Sequence, residues 1–120
     1  MTIYLHKYDL PDDVSFGSSV AIDTETMGLN PVRDRLCLVQ LSSGDGHAHL
    51  VQFPDMDYAA PNLRKLLEDS SVAKIFHFAR FDVAAMKAYL DADCAPIYCT
   101  KIASRLCRTF TDKHSLKDLC

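Results

Sequence analysis

No stretch of this 120-residue chain approaches the roughly 18 apolar residues that a membrane-spanning helix needs. Its start, Met1-Thr2-Ile3-Tyr4-Leu5-His6-Lys7, lacks the apolar core of a signal peptide. Both absences predict a cytoplasmic protein with no membrane partner. A basic excess is missing as well: 13 Lys and Arg face 16 Asp and Glu, for a net charge of −3. The chain therefore has no overall positive field with which to grip a polyanion, and any nucleic acid has to be held by local features. The five cysteines, Cys37, Cys94, Cys99, Cys107 and Cys120, contain no CxxC pair. That excludes the common zinc and dithiol patterns and predicts reduced, mostly buried thiols. Nor does any repeat, low-complexity tract or linker divide the sequence. The length fits one domain, and an apolar fraction of 48% is ordinary for a protein that buries a core.

What is present has a clear order. Ser19–Glu25, Leu36–Ser42 and His47–Phe53 are short segments rich in Val, Ile and Leu. Turn residues such as Gly44-Asp45-Gly46 separate them, which predicts an antiparallel meander. Leu36-Cys37-Leu38-Val39-Gln40-Leu41 is apolar almost throughout, so both its faces are expected to be covered. From Pro61 the period changes. Leu63, Leu66 and Leu67 form one stripe of an amphipathic helix that Pro61 starts. Thereafter Ala73–Phe78 reads as a strand, Arg80–Leu90 as a helix, Ala95–Tyr98 as a short strand and Lys101–Cys107 as a second helix. Three antiparallel strands followed by helix-strand-helix-strand-helix predict a mixed α/β sheet with helices against it. Such an order occurs in ribonuclease-H-like folds and is compatible with several others.

Two features carry chemistry. Asp23-Thr24-Glu25 closes the run Val20-Ala21-Ile22, and side chains alternate along a strand, so Asp23 and Glu25 project from the same face as Ala21. If that strand is central and dry, the two carboxylates demand a raised pKa or a bound cation. A hard dication with oxygen ligands, Mg²⁺ or Mn²⁺, meets the demand. A solvated DxE at a strand end fits the tripeptide too. On the following helix Phe78, Phe81, Asp82, Ala85 and Tyr89 fall on one stripe, which places Asp82 on the core side among aromatics. An acid buried there needs a hydrogen bond, a cation or a metal. Capping the helix or pairing with Arg80 is the competing account.

Taken together, Ala21-Ile22-Asp23-Thr24-Glu25-Thr26-Met27-Gly28-Leu29 and Arg35-Leu36-Cys37-Leu38-Val39-Gln40-Leu41 closely resemble the first exonuclease motif of ribonuclease D and its relatives in the DEDD exonuclease superfamily. His77-Phe78-Ala79-Arg80-Phe81-Asp82 resembles the second motif. Thr100–Leu106 and His114–Leu119 resemble the segments that follow it, so the likeness runs from about Ser19 onward. The resemblance implies a ribonuclease-H-like fold and a two-metal 3′→5′ exonuclease that releases nucleoside monophosphates. Asp23 would touch both ions, Glu25 the one that activates water, and Asp82 the second; ions in such sites sit roughly 3.5–4 Å apart. The cofactors implied are two divalent ions, Mg²⁺ or Mn²⁺. The implied partner is the 3′ end of a single-stranded nucleic acid, RNA ahead of DNA. Leu29 would pack on the terminal base, and Gly28 would let the chain turn there. His77, Phe78 and Phe81 would border the terminal nucleotide, and Thr24 and Met27 are counted with them as substrate-binding.

Departures from the pattern shape the expectation. The superfamily needs a fourth acid from a third motif, expected here as Tyr-x-x-x-Asp beyond the segments just named, and no such segment follows Thr100–Leu106. His114-Ser115-Leu116-Lys117-Asp118 has the offset of a His variant, but a similar stretch precedes the third motif in relatives. Residues 1–120 are thus expected to be the N-terminal portion of an incomplete exonuclease domain with little activity alone. Phe78 stands where many members carry Asn, and Cys99 where relatives often have Asp. Two further readings stay open: a binding or interaction module of the same fold without catalysis, and a proofreading exonuclease acting on DNA.

Overall fold

The computed structural model describes residues 2–28, 30, 33–77 and 79–100. The expected helix over Lys101–Cys107 and the segment His114–Asp118 lie outside them. Along the chain run β1 (Thr2–Lys7), β2 (Ser19–Thr26), β3 (Leu36–Ser42), β4 (His47–Gln52), α1 (Pro61–Glu68), β5 (Ala73–Phe76), α2 (Ala79–Leu90) and β6 (Ile97–Cys99). The strands form one mixed sheet in the order β1-β4-β3-β2-β5-β6. β2, β3 and β4 make the antiparallel meander expected from the sequence, whereas β5 and β6 add to it in parallel beyond β2. Crossing back to a parallel neighbour requires a connection over the sheet, and α1 and α2 supply it. This is the ribonuclease-H-like α/β arrangement.

Several boundaries differ from expectation. β1 was not anticipated; it pairs in parallel with β4 as an edge strand, from Thr2–His47 to Lys7–Gln52. Its Ile3 and Leu5 are 62% and 60% exposed, so no core periodicity marked it. β4 stops at Gln52 and β5 at Phe76, each short of the apolar run that suggested it. Helix α2 begins one residue early, at Ala79, where the backbone N–H is capped by Cys99 Sγ at 3.3 Å.

Local chemistry explains the elements. Positive φ angles of 81° and 86° at Gly44 and Gly46 turn β3 into β4, a backbone shape that side chains resist. Pro61 opens α1 with its fixed φ, and the orphan N–H groups of Asn62 and Leu63 donate to the Asp9 carboxylate at 3.0 and 2.8 Å. One core holds the molecule together. Val20 and Ile22 of β2, Val39 and Leu41 of β3, Val51 of β4 and Phe76 of β5 meet Leu63 and Leu67 of α1 and Met86 and Leu90 of α2.

That core lies on one side of the sheet, and among the described residues the other face of β3 has no element against it. Val39 and Leu41 are buried, but Gln40 between them is exposed and Cys37 and Leu38 are only half-buried. Among the described residues both helices sit on the face of Val39 and leave the opposite face open. The stripe of α2 differs from expectation. Ala79, Asp82, Ala85, Met86 and Leu90 are buried, whereas Phe81 and Tyr89 are half-buried. The bulky Met86 and Leu90 dominate the contact, so the stripe turns toward them. Cys94 is buried as expected, Cys37 and Cys99 are half-buried, and no disulfide links these three. Among the described residues no helix is long and apolar enough to cross a membrane.

Candidate active site

Alternation along β2 sorts its side chains between the two faces. Val20, Ile22 and Thr24 are buried under the helices, while Ala21, Asp23 and Glu25 face the open side. Asp23 and Glu25 are therefore neighbours on one face at the C-terminal end of the strand, as their spacing predicts. Glu25 pairs with Leu38 but Thr26 with Leu36, so the register shifts there and Cys37 is the extra residue of a bulge carried by β3. It lies opposite the end of β2 that holds the two acids.

Asp82 approaches the same strand end from the other face. It sits in the first turn of α2, is 4% exposed, and accepts a hydrogen bond from the Thr24 hydroxyl. That contact, not a pairing with Arg80, satisfies the buried carboxylate. Burial pushes the Asp82 carboxyl up to about 6, and the negative charges of Asp23 and Glu25 push the same way against the Thr24 hydrogen bonds. The three acids thus feel one another across the end of β2. Among the described residues no three acidic, His or Cys side chains yet close around a point that would hold an ion. The donor set is nonetheless all carboxylate oxygen, with a local surplus of negative charge. That suits a hard dication, which would relieve the repulsion.

The open face beside Asp23 is a groove of about 260 Å³, lined by Asp23, Gln40, Ser42, Ile75, His77 and Thr100 among others. His77, at the end of β5, puts its Nδ1 2.8 Å from Thr100 Oγ1, and Thr100 donates to the Phe76 carbonyl at 3.2 Å. Gln40 and Thr100 were not singled out from the sequence. Only strand register reveals them: Gln40 is the direct cross-strand partner of Asp23.

The remaining expected residues are scattered. Thr24 faces the helices, Met27 is 67% exposed beyond β2, and Phe81 is half-buried on α2. Leu29 and Phe78 lie outside the described residues. Gly28 follows Met27, and its lack of a side chain serves close approach more than a left-handed turn. A Cβ there would lie 2.3 Å from Asp34 Oδ2. Asp34 also accepts the Asn30 backbone N–H at 3.0 Å and pairs with Arg33 at 3.0 Å, so it fastens the loop between β2 and β3.

Comparison with known proteins agrees with this geometry. Brucella melitensis NrnC matches with a TM-score of 0.96 and 54% identity over 100% of this chain and 59% of that one. Its complex with Mg²⁺ gives the same score and identity over 60% of that chain. NrnC bound to pGG gives 0.93 and 53% over 100% and 59%. Escherichia coli RNase D matches at 0.61 and 24% identity over 76% of this chain and 24% of that one, a likeness of fold. The chain spans about 59% of the length of NrnC. No curated protein sequence matches. The family model described as a 3′-5′ exonuclease matches residues 8–120, and the chain belongs to that 3′-5′ exonuclease family.

Proposed function

We propose that this chain forms the front part of an exonuclease that hydrolyses single-stranded RNA from its 3′ end and releases nucleoside monophosphates. The observation that carries the reading is the placement of Asp23 and Glu25 side by side at the end of β2, with Asp82 behind them raised to about 6 by burial and by their charge. NrnC supports it, with structures that hold Mg²⁺ and pGG.

Asp23, Glu25 and Asp82 would hold two divalent ions, Mg²⁺ or Mn²⁺, which supply an activated water and charge stabilisation for an in-line displacement at phosphorus. The chain's own groups prepare that chemistry. Asp23 and Glu25 present carboxylate oxygens to the open face from alternate positions of β2. Thr24 holds the Asp82 carboxylate against β2, so that acid reaches the strand end from a fixed helix. Without a basic surface, the site has to reverse its own charge before a polyanion can settle there. The groove beside Asp23 receives the terminal nucleotide, with His77 on its wall, and Gly28 and Met27 belong to the loop that follows the two acids.

The test follows mononucleotide release by the full-length protein from 3′-labelled single-stranded RNA, with the matching DNA strand as a second arm. Release with Mg²⁺ or Mn²⁺ that stops in EDTA is expected, faster on RNA. Full activity in EDTA would remove the metal assignment, and faster release from DNA would reverse the substrate preference.

A further inference from the structure

Four polar side chains cross the open face of the sheet in one lateral row. Asp23 on β2 pairs directly with Gln40 on β3. The parallel register that sets Ala21 beside Ile75, carried two residues further along each chain, brings His77 beside Asp23. The register that sets Phe76 beside Cys99, carried one residue further, brings Thr100 beside His77. All four side chains line the same groove.

Within this row one proton arrangement satisfies both contacts at once. A threonine hydroxyl has a single hydrogen to give. Both the 3.2 Å contact to the Phe76 carbonyl and the 2.8 Å contact to His77 Nδ1 are hydrogen bonds when Thr100 donates to the carbonyl and accepts from Nδ1–H. In the neutral ring the other nitrogen, Nε2, is then left with its lone pair. A phosphate oxygen or the Asp23 carboxylate could not pair with it, because both are acceptors. A hydroxyl can. Sugar hydroxyls are also the donors common to every nucleotide, whereas amino groups occur only on some bases.

We propose that His77 Nε2 accepts a hydrogen bond from a hydroxyl of the substrate's terminal sugar, and that Thr100 is a positioning residue that keeps the ring in its accepting tautomer. The inference rests on the exonuclease reading and goes beyond it by assigning the side chain that reads the sugar. It explains why a histidine at the end of β5 is anchored through a hydroxyl to the backbone of its own strand. A ring that served only as packing would need no fixed tautomer.

The experiment uses the full-length protein and three 5′-labelled oligouridylates that differ only in the last sugar: ribose, 2′-deoxyribose or 3′-deoxyribose. Affinity is read by fluorescence anisotropy with Ca²⁺ in place of Mg²⁺, a dication that offsets the charge of the three acids, and early enough that binding is measured before cleavage. The wild type should bind one of the deoxy ligands about tenfold more weakly than the ribose ligand, the scale of one lost hydrogen bond, and the arm affected identifies the hydroxyl. His77→Phe should lose the same factor on the ribose ligand and nothing on that deoxy ligand, which erases the preference. Thr100→Val should reduce the preference and Thr100→Ser restore it. If His77→Phe does not fold, the Thr100 pair carries the same comparison. Equal losses on all three ligands, a preference that survives His77→Phe, or a wild type without preference would overturn the proposal. A preserved preference without nucleotide release would instead overturn the exonuclease reading and leave the sugar contact standing.

Discussion

Thr24 donates its hydroxyl to the Asp82 carboxylate across the contact between β2 and α2, on the opposite face of the strand from Asp23 and Glu25. One strand end therefore carries acids on both sides, two exposed and one buried. The buried one is under the greater electrostatic load. Burial and the two neighbouring charges favour its protonated form, and the hydrogen bond from Thr24 only partly opposes them. The arrangement is suited to receiving positive charge.

A pH dependence follows from that load. The folded Asp82 carboxyl titrates at about 6 against an ordinary value of 3.8. Between those values the folded protein holds a proton that the unfolded chain has released. The stability this contributes is full below about pH 4 and is lost as pH rises through about 6, a fall on the order of 3 kcal/mol. Asp82→Asn cannot ionise and should lack the fall. Urea denaturation in EDTA at pH 4 and pH 7.5 should find the variant gaining about 3 kcal/mol on the wild type between the two conditions. A difference that stays constant with pH would show that the buried acid is not its source.

The same three acids should differ in their effect on hydrolysis. Asp23 lies on the open face beside the groove and is assigned to both ions, whereas Asp82 reaches the site from behind and is assigned mainly to one. Asp23→Asn is expected to reduce kcat/KM by about a hundredfold or more, roughly 2.7 kcal/mol of barrier. Asp82→Asn should lose less. Single-turnover assays on RNA with saturating Mn²⁺ give the ranking; equal or reversed losses in folded proteins would show these roles to be wrong.

The meander and both described helices were legible because their apolar residues recur with the periods of strand and helix. Val20-Ala21-Ile22 ahead of Asp23 fixed the face of the two acids in the same way. β1 was not legible: an edge strand exposed on both faces, as Ile3 and Tyr4 show, needs no alternation to fold. Nor did the apolar content of β3 reveal which of its faces the described helices cover, since composition cannot tell a covered Leu38 from a half-buried one. Gln40 and Thr100 escaped notice because their neighbours come from strand register, which joins residues distant in sequence.

Lys74 offers a stability test away from the site. It is fully buried on β5, and its ammonium donates to the carbonyls of Asp69, at the end of α1, and Ala95, ahead of β6, the latter at 2.8 Å. Lys74→Met keeps the volume and orphans the Ala95 carbonyl, whereas the Asp69 carbonyl keeps its bond from the Val72 N–H. An unmet buried carbonyl costs about 1–3 kcal/mol, so the variant should lose about that much in urea denaturation. A loss below about 0.5 kcal/mol would mean that water satisfies the Ala95 carbonyl once the ammonium is gone.

Gly28 and Asp34 should prove energetically coupled. A methyl group at Gly28 would stand 2.3 Å from Asp34 Oδ2 and 2.7 Å from its Cγ, so the carboxylate would have to withdraw. Withdrawal breaks its bond from the Asn30 N–H and its pairing with Arg33, the interactions that hold the Asp34 carboxyl below the usual carboxylate range. Gly28→Ala is therefore expected to cost about 1–3 kcal/mol, the scale of a charge-assisted hydrogen bond together with overpacking. It should also lower kcat/KM, because the loop it loosens begins just beyond Glu25 and is closed at its neck by the Met27 N–H on the Arg35 carbonyl. Asp34→Ala already gives up those bonds and leaves room for the methyl. Adding Gly28→Ala to it should cost little more, for a coupling of about 1 kcal/mol or greater in a double-mutant cycle. Additive losses would mean that the glycine is needed for its backbone conformation and not for the approach of Asp34.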